Sequence, residues 1–409
     1  MKPNTKTTNA LTSLLNITDV NAVLHAMWNT PGLSGDDGEA RMGLNVLFEA
    51  PPGVGKSARI RTASRRAGFH CETVIASLRE PADFLGLGVP QTNGSLAYLP
   101  PTWAQRAAKH EHAVVFLDEL NAAPQAVQMA LLRVVLEGVV GDLRLPSTVR
   151  FVAAQNGTDA CPGRFALDGA MVNRFIILPW PDVDARGWAS WLLNPAGAND
   201  AANIDDPGDV QAKVNADWPS VWAKAAGIVA AFITRRSDLL TQSPPDDGKP
   251  FATPRSWETA TRALGGALLH GLNPGDTDAV IAGAVGAGAA REFSTFRTNL
   301  DLPDPAAVLD GAGFAHDSAR LDRTMAVLSS CASLVVARTC DNRDKRVNAL
   351  LGLLLKVTNG GAADAAVLSS QVLLGPDNAF RTAVLRAPNF KAAFSALEPF
   401  TAAAGMGVR

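Results

Sequence analysis

Short apolar runs alternate with longer amphipathic stretches between residues 45 and 180. The apolar runs occupy residues 45–50, 72–77, 113–119, 149–156 and 174–180. Continuous apolar runs of this length are typical of strands that are buried on both faces of a sheet. Because these strands alternate with helical segments, the pattern predicts an α/β domain with a mainly parallel, five-stranded sheet.

The pattern changes at residues 194–217, which are rich in Asn, Asp and Gly and indicate a boundary or a long insertion. Beyond that stretch the strand signal disappears. Helices are predicted at 20–28, 218–235, 254–269 and 279–297, with loops at 243–250 and 301–317 and further helices to about residue 403. The sequence therefore predicts an α/β domain with a short N-terminal helix (1–182), a helical domain (183–300) and a helical C-terminal extension (301–409).

Composition excludes some classes of protein. Hydrophobic residues make up 47% of the 409 residues, so a wholly disordered chain is excluded. The net charge of −2 argues against a protein whose main function is to bind nucleic acid, because binding to phosphates usually needs an excess of basic residues. No apolar run is long enough for a membrane helix and no signal peptide is visible, so we expect a soluble, cytoplasmic protein. The cysteines, at 71, 161, 331 and 340, form no CxxC pair and are expected to be free thiols.

Residues 50–57 read APPGVGKS and lie between an apolar strand and a helical run. Glycines let backbone N–H groups turn around phosphate oxygens, and the amino end of the following helix favours the same negative charge. Lys56 can reach the outer phosphates and the hydroxyl of Ser57 can bind Mg²⁺, so the segment predicts an ATP site. The predicted binding residues are Pro52, Gly53, Val54, Gly55, Lys56, Ser57 and Ala58. Ala50 stands where a glycine is usual, at a position that accepts a small residue.

The apolar run that begins at residue 113 ends in two carboxylates, Asp118 and Glu119. Ligands of α/β proteins bind at the carboxyl ends of parallel strands. Asp118 is placed to hold Mg²⁺ through water, and Glu119 is placed to polarise a water that attacks the γ-phosphate.

Six phrases of the sequence, in order, resemble AAA+ ATPases and, within them, the MoxR-type group. They are APPGVGKS (50–57), REPADFLGL (79–87), FLDELNAAPQAVQMALLRVV (116–135), VRFVAAQN (149–156), NRF (173–175) and TPRSWE (253–258). The resemblance covers roughly residues 40–270. It implies a P-loop AAA+ core followed by an α-helical lid and a helical extension, and it implies hydrolysis of Mg-ATP.

The resemblance also gives single residues a role. Asn156 resembles the first sensor, which places the attacking water. Arg174 resembles the arginine finger that faces the γ-phosphate of a neighbouring subunit, and Arg164 is a rival for that role. Arg255, at the start of a lid helix, resembles the second sensor. The residues that contact adenine are expected between positions 20 and 45.

Two insertions fit the same family. Residues 87–98 contain Asn93-Gly94, a strong hairpin signal, and residues 138–146 form a second hairpin candidate. In MoxR-like proteins such hairpins project towards the pore of a ring. Leu96 and Tyr98 lie on the first hairpin, where ordinary packing is the alternative to contact with a substrate.

The resemblance implies a ring, expected to be a hexamer, that uses ATP hydrolysis to remodel or activate another protein. It also implies a partner that carries a von Willebrand factor A domain. One alternative is a nucleic-acid motor or restriction-type subunit, but the hairpins carry a single basic residue, Arg144, and nucleic acid is not an expected partner. A second alternative is an ATP-gated scaffold without catalysis. Five intact residues argue against it: Lys56, Asp118, Glu119, Asn156 and Arg174.

Overall fold

The computed structural model describes residues 16–34, 40–157, 167–182, 184–193, 206–317, 319–375 and 378–403. They pack as two compact units. Unit 1 is formed by Met1–Val214 and Thr241–Arg291, and unit 2 by Asn215–Leu240 and Glu292–Arg409.

The strands, all in unit 1, are β1 (Pro31–Ser34), β2 (Ala40–Met42), β3 (Val46–Glu49), β4 (His70–Ile75), β5 (Leu87–Pro90), β6 (Leu96–Leu99), β7 (Ala113–Asp118), β8 (Val139–Val140), β9 (Leu143–Arg144), β10 (Val149–Gln155) and β11 (Ile176–Pro179). The α-helices up to residue 235 are α1 (Val20–Trp28), α2 (Lys56–Arg66), α3 (Ala82–Leu85), α4 (Thr102–Ala108), α5 (Gln125–Glu137), α6 (Gly169–Val172), α7 (Ala185–Leu193) and α8 (Pro207–Arg235). Those that follow are α9 (Pro254–His270), α10 (Pro274–Val285), α11 (Ala287–Thr298), α12 (Pro305–Ala307), α13 (Leu321–Val336), α14 (Arg343–Asn359), α15 (Ala363–Leu374), α16 (Arg381–Arg386) and α17 (Phe390–Ala403).

Unit 1 is built on a five-stranded parallel sheet with the strand order β11-β3-β10-β7-β4. The first five residues of β7, AVVFL, are all buried, and so is every residue of β10. Each large apolar side chain that is buried in this way stabilises the fold by about 1.5–3 kcal/mol. The structure therefore confirms the predicted α/β class and the five strands, with ends that shift by a few residues.

Two short hairpins extend from unit 1 at the places that the sequence predicts. Strands β5 and β6 pair in antiparallel fashion across Asn93-Gly94, and Gly94 has a φ of 83° that suits glycine. Strands β8 and β9 form the second hairpin. The two hairpins are joined because the N–H of Tyr98 donates to Asp142 Oδ2 at 2.7 Å and the N–H of Asp142 donates to the Tyr98 carbonyl at 2.9 Å.

Unit 2 has a helical core of its own. Leu328, Leu350, Leu354 and Leu397, from α13, α14 and α17, are fully buried in it. The part of α8 within this unit contributes Phe232, whose ring lies 5.2 Å from that of Phe293. A second hydrophobic core thus forms apart from the sheet.

The helices differ from the prediction in two places. The segment 279–297, expected as one helix, is divided at Gly286 between α10 and α11. Gly286 has a φ of 86°, and a Cβ there would come within 2.5 Å of the Pro250 carbonyl, so the chain turns where only glycine fits. Helix α8 begins at Pro207, inside the stretch read as a boundary, and it continues through Pro219.

The packed units divide the chain differently from the predicted domains at 1–182, 183–300 and 301–409. Helices α9 and α10 belong to unit 1, whereas residues 215–240 join unit 2. The division into three domains stays a prediction.

Two further expectations concern the cysteines and membrane-spanning helices. Cys71, Cys331 and Cys340 are free, and Cys161 lies outside the described residues. Among the helices that the structure describes, each is too short or too polar to cross a membrane.

Candidate nucleotide site

The loop between β3 and α2 has the backbone of a phosphate cradle. Gly53 and Gly55 have φ values of 84° and 86°, in the left-handed region that favours glycine. A Cβ at either position would meet nothing within 4 Å, so these glycines are required by the backbone and leave open space. Gly55 is the N-cap of α2, whose amino end favours an anion.

Lys56 lies beside Asn156 in the floor of this cradle. Its Nζ donates to Asn156 Oδ1 at 2.7 Å and to the carbonyls of Ala50 and Pro51 at 3.0 and 3.2 Å. Lys56 is 8% exposed and Asn156 is 5% exposed. Asn121 also donates to the Asn156 carbonyl at 2.7 Å, which fixes the end of β10. The sheet therefore brings together two predicted site residues that are a hundred positions apart.

Ser57 and Asp118 meet on the other side of the loop. The Ser57 hydroxyl donates to Asp118 Oδ2 at 2.8 Å, and Asp118 Oδ1 accepts the N–H of Glu119 at 3.0 Å. A hydroxyl and a carboxylate are hard oxygen donors that fit Mg²⁺, which usually takes only one or two carboxylates and keeps several waters. Within the described ranges, no group of three or more His, Cys, Asp and Glu could hold a metal ion alone. The donor set thus fits a cation that is shared with phosphate oxygens.

Glu119 has an unusual backbone and an unpredicted partner. Its φ of 57° and ψ of 41° lie in the left-handed region, which costs a residue other than glycine on the order of 1–3 kcal/mol. The Ser77 hydroxyl donates to Glu119 Oε2 at 2.5 Å. Ser77 follows β4, the strand that pairs with β7, so only knowledge of the strand order could have identified it. The Ser77 hydroxyl thus helps to fix the position of the Glu119 carboxylate at the end of β7.

A cleft of about 1050 Å³ opens from the loop. Its lining includes Pro52, Gly53, Val54, Gly55 and Ala58 from the predicted binding residues. It also includes Asn21, which lies in the stretch 20–45 where adenine contacts are expected. The sequence did not predict the other lining side chains, among them Thr18, Arg59, Arg65, Trp180 and Trp188. The volume is slightly above the range of roughly 300–1,000 Å³ that is usual for small-molecule sites.

Arg174 and Arg255 lie away from this cleft. Arg174 precedes β11, in which Ile176 is level with Val46 at the start of β3, whereas the phosphate loop follows the end of β3. Parallel strands rise about 3.3 Å per residue, so at least about 13 Å of strand separates the two positions. Arg174 therefore lies at the amino edge of the sheet, opposite the loop.

The two arginines share a small cavity of about 40 Å³, which Arg41 and Asn45 also line. Burial, and next the positive charge of Arg255, lower the pKa of Arg174. Its Nη1 donates to the Ala170 carbonyl, while its buried Nε has no hydrogen-bond partner within the described residues. Arg255, expected as the second sensor, is thus placed with the predicted finger and is not among the residues lining the cleft. Arg164, the rival finger, lies outside the described residues.

Comparison with known proteins gives partial matches. No family model matches the chain. It is 28% identical to midasin from Giardia intestinalis over 160 residues, which are 36% of this chain and 3% of that protein. It is 27% identical over 154 residues, 34% of this chain, to the ATPase histone chaperone YTA7 of Saccharomyces cerevisiae, of which the match covers 10%. The chain thus spans a small part of these curated relatives.

A solved structure from Cytophaga hutchinsonii, described as that of a candidate ATPase, is 15% identical, with a TM-score of 0.45. The match covers 73% of this chain and 94% of that one. The two curated relatives, each matched over about a third of this chain, support the AAA+ ATPase family.

Proposed function

We propose that this protein is an Mg²⁺-dependent ATPase of the MoxR type, which assembles as a ring and remodels or activates a partner protein. One observation carries the proposal: Lys56, Ser57, Asp118, Glu119 and Asn156 meet around one phosphate loop. They are the residues that binding of a triphosphate and attack by water require.

Each of these groups has a separate task in hydrolysis. The backbone of Gly53 and Gly55 and the ammonium of Lys56 hold the phosphates, and the release of Lys56 from Asn156 frees the amide to orient water. Glu119 accepts the proton of that water as its oxygen attacks the γ-phosphorus and the bond to the bridging oxygen breaks. Mg²⁺, held by Ser57 and Asp118, would neutralise negative charge on the phosphate oxygens.

The position of Arg174 supports assembly of several subunits. An arginine that faces the γ-phosphate stabilises the transition state, yet Arg174 is at the opposite edge of its own sheet. A neighbour that presents its Arg174, with Arg255 beside it, would complete the site, and head-to-tail contacts of this kind close into rings. This supports a homo-oligomer, for which we propose a hexamer.

The two joined hairpins support action on a protein. Leu87, Leu96, Tyr98 and Leu99 are between 47% and 65% exposed, which marks an apolar surface. Arg144 is the basic residue of these strands, which gives little charge for the phosphates of a nucleic acid. We therefore propose that this surface contacts a partner protein, with a von Willebrand factor A domain protein as the first to test.

The site is tested by measuring Mg-ATP binding and phosphate release for the wild type and for Lys56→Ala. We expect the variant to bind ATP more weakly and to lose turnover, because a charge-assisted contact to phosphate is removed. Lys109→Ala removes an exposed lysine after α4 and is the matched control, with unchanged binding and turnover. Equal activity of wild type and Lys56→Ala would refute the proposal.

A further inference from the structure

Trp180 lies directly beside the phosphate loop. Pro179, at the end of β11, is level with Glu49, at the end of β3, and the Trp180 N–H donates to the Glu49 carbonyl at 2.7 Å. The next residue after Glu49 is Ala50, where the loop begins. The backbone of Trp180 is therefore fixed next to the place where phosphates bind.

The indole of Trp180 is held in part and open in part. It packs edge-to-face with Phe48, with ring centroids 5.1 Å apart and an angle of 84° between the rings. Phe48 is fully buried, whereas Trp180 is half-buried and lines the cleft. An indole that is held by a buried ring and borders a cleft provides a platform for a planar ligand.

The cleft is also lined by the segment that leads into α1. Asp276, fully buried in α10, accepts the N–H of Thr18 at 2.6 Å and its hydroxyl at 3.0 Å, which holds this segment in place. Asn21, in the first turn of α1, lines the cleft with a half-buried side chain. Its carboxamide makes no hydrogen bond within the part of the chain that the structure describes, so a donor and an acceptor are available there.

We propose that Trp180 stacks on the adenine of the bound nucleotide and that Asn21 binds the edge of that base. The proposal rests on the ATPase function proposed above and adds the part of the site that selects the base. Stacking on tryptophan suits any base, because every base has a π-face. Adenine offers a donor at N6 and an acceptor at N7, which match the oxygen and the NH₂ of a carboxamide, whereas guanine offers two acceptors.

The experiment compares dissociation constants for ADP, GDP and inorganic pyrophosphate, measured by titration calorimetry with Mg²⁺ present. ADP and pyrophosphate share a diphosphate, and ADP alone carries the adenine. We expect Trp180→Ala to weaken ADP binding between about 5-fold and about 150-fold, the range for loss of one base–aromatic stack. Binding of pyrophosphate should stay within about 2-fold. Trp180→Phe, which keeps an aromatic face, should recover most of the ADP affinity.

Two further variants sharpen the result. Trp188→Ala removes a second tryptophan that lines the cleft and is 53% exposed, and we expect it to weaken ADP binding less than Trp180→Ala does. Asn21→Ala should reduce the preference for ADP over GDP by about 5-fold or more. If Trp180→Ala also loses pyrophosphate binding, the ADP affinity of Trp180→Leu decides whether stacking matters. Leucine keeps apolar volume against Phe48 but has no aromatic face.

Unchanged ADP binding in Trp180→Ala, or in Trp180→Leu where that variant decides, would overturn the platform. An equal loss in Trp188→Ala would do so as well. An unchanged preference for ADP over GDP in Asn21→Ala would overturn the proposal that Asn21 binds the edge of adenine. Failure of the proposed function looks different, since the wild type would then bind neither ADP nor pyrophosphate.

Discussion

The position of Arg174 leads to a prediction about two inactive variants. Its β11 begins level with the start of β3, and at least about 13 Å of strand separates it from the phosphate loop of its own subunit. An arginine side chain cannot span that distance along the sheet. If the guanidinium serves catalysis, it must therefore serve the nucleotide of a neighbouring subunit.

Arg174→Ala leaves Lys56, Asp118 and Glu119 intact, so the variant should bind ATP. Its turnover should fall by about 10³-fold or more, the range seen when an arginine finger is absent. Lys56→Ala should be inactive for a different reason, because its own phosphate cradle is incomplete.

Mixed under conditions of subunit exchange, the two variants should regain activity. A subunit with intact Lys56 can then lie next to one with intact Arg174, which happens at about one quarter of the interfaces of a randomly mixed head-to-tail ring. Phosphate release should therefore return to at most about a quarter of the wild-type rate, and native mass measurement would show the exchange. Arg164→Ala is the control and should keep most of its turnover.

If exchange is demonstrated and no activity returns, Arg174 does not act between independent subunits. Wild type mixed with Lys56→Ala then separates the two remaining explanations. A loss much steeper than the share of the variant would show that several sites must work together, and a proportional loss would refute the role of Arg174 across the interface.

Three other predictions concern single groups. Glu119→Gln should bind ATP and lose at least about 100-fold in single-turnover hydrolysis, because the amide cannot accept the proton of the attacking water; turnover near the wild-type rate would assign that task elsewhere. Burial, and next the charge of His25, lower the pKa of His270 to about 4. As the pH falls, His270 therefore binds a proton near pH 6.5 in the unfolded chain but only near pH 4 in the folded chain. The free energy of unfolding should then fall as the pH drops from about 6.5 through about 4, by on the order of 3 kcal/mol, and urea titrations of His270→Gln should show a flatter dependence. Burial raises the pKa of Cys331 to about 12, so a thiol reagent at pH 8 should label Cys340 well before Cys331, and equal labelling rates would contradict the packing of α13.

The features that the sequence predicts correctly are those that depend on residues close together in the chain. The run AVVFLDE predicts both a strand buried on two faces and the carboxylates at its end, because a strand in the middle of a parallel sheet has no polar side. The glycines of residues 53–55 predict the loop for an equally local reason, since their φ values suit no other residue so well. The hairpin at Asn93-Gly94 is also predicted by its local sequence, because this residue pair favours a tight turn between two strands.

Features that depend on the order of the strands could not be predicted in this way. The placement of β10 between β3 and β7 brings Asn156 to Lys56, and the pairing of β4 with β7 brings Ser77 to Glu119. The sequence of a strand does not indicate which strands pair with it, because all five strands of the sheet are similar apolar runs. The break at Gly286 is of the same kind, since it reflects the approach of the distant Pro250 carbonyl.

The sequence by itself thus determined the strands, the phosphate loop and the carboxylates at the end of β7. Only the tertiary structure placed Arg255 beside Arg174 and brought Asn21 and Trp180 to one cleft. Each of these pairs joins residues far apart in the chain whose side chains have no local pattern in common. Their positions are decided by how helices and strands pack to bury apolar surface, which is a property of the whole unit and of no single segment.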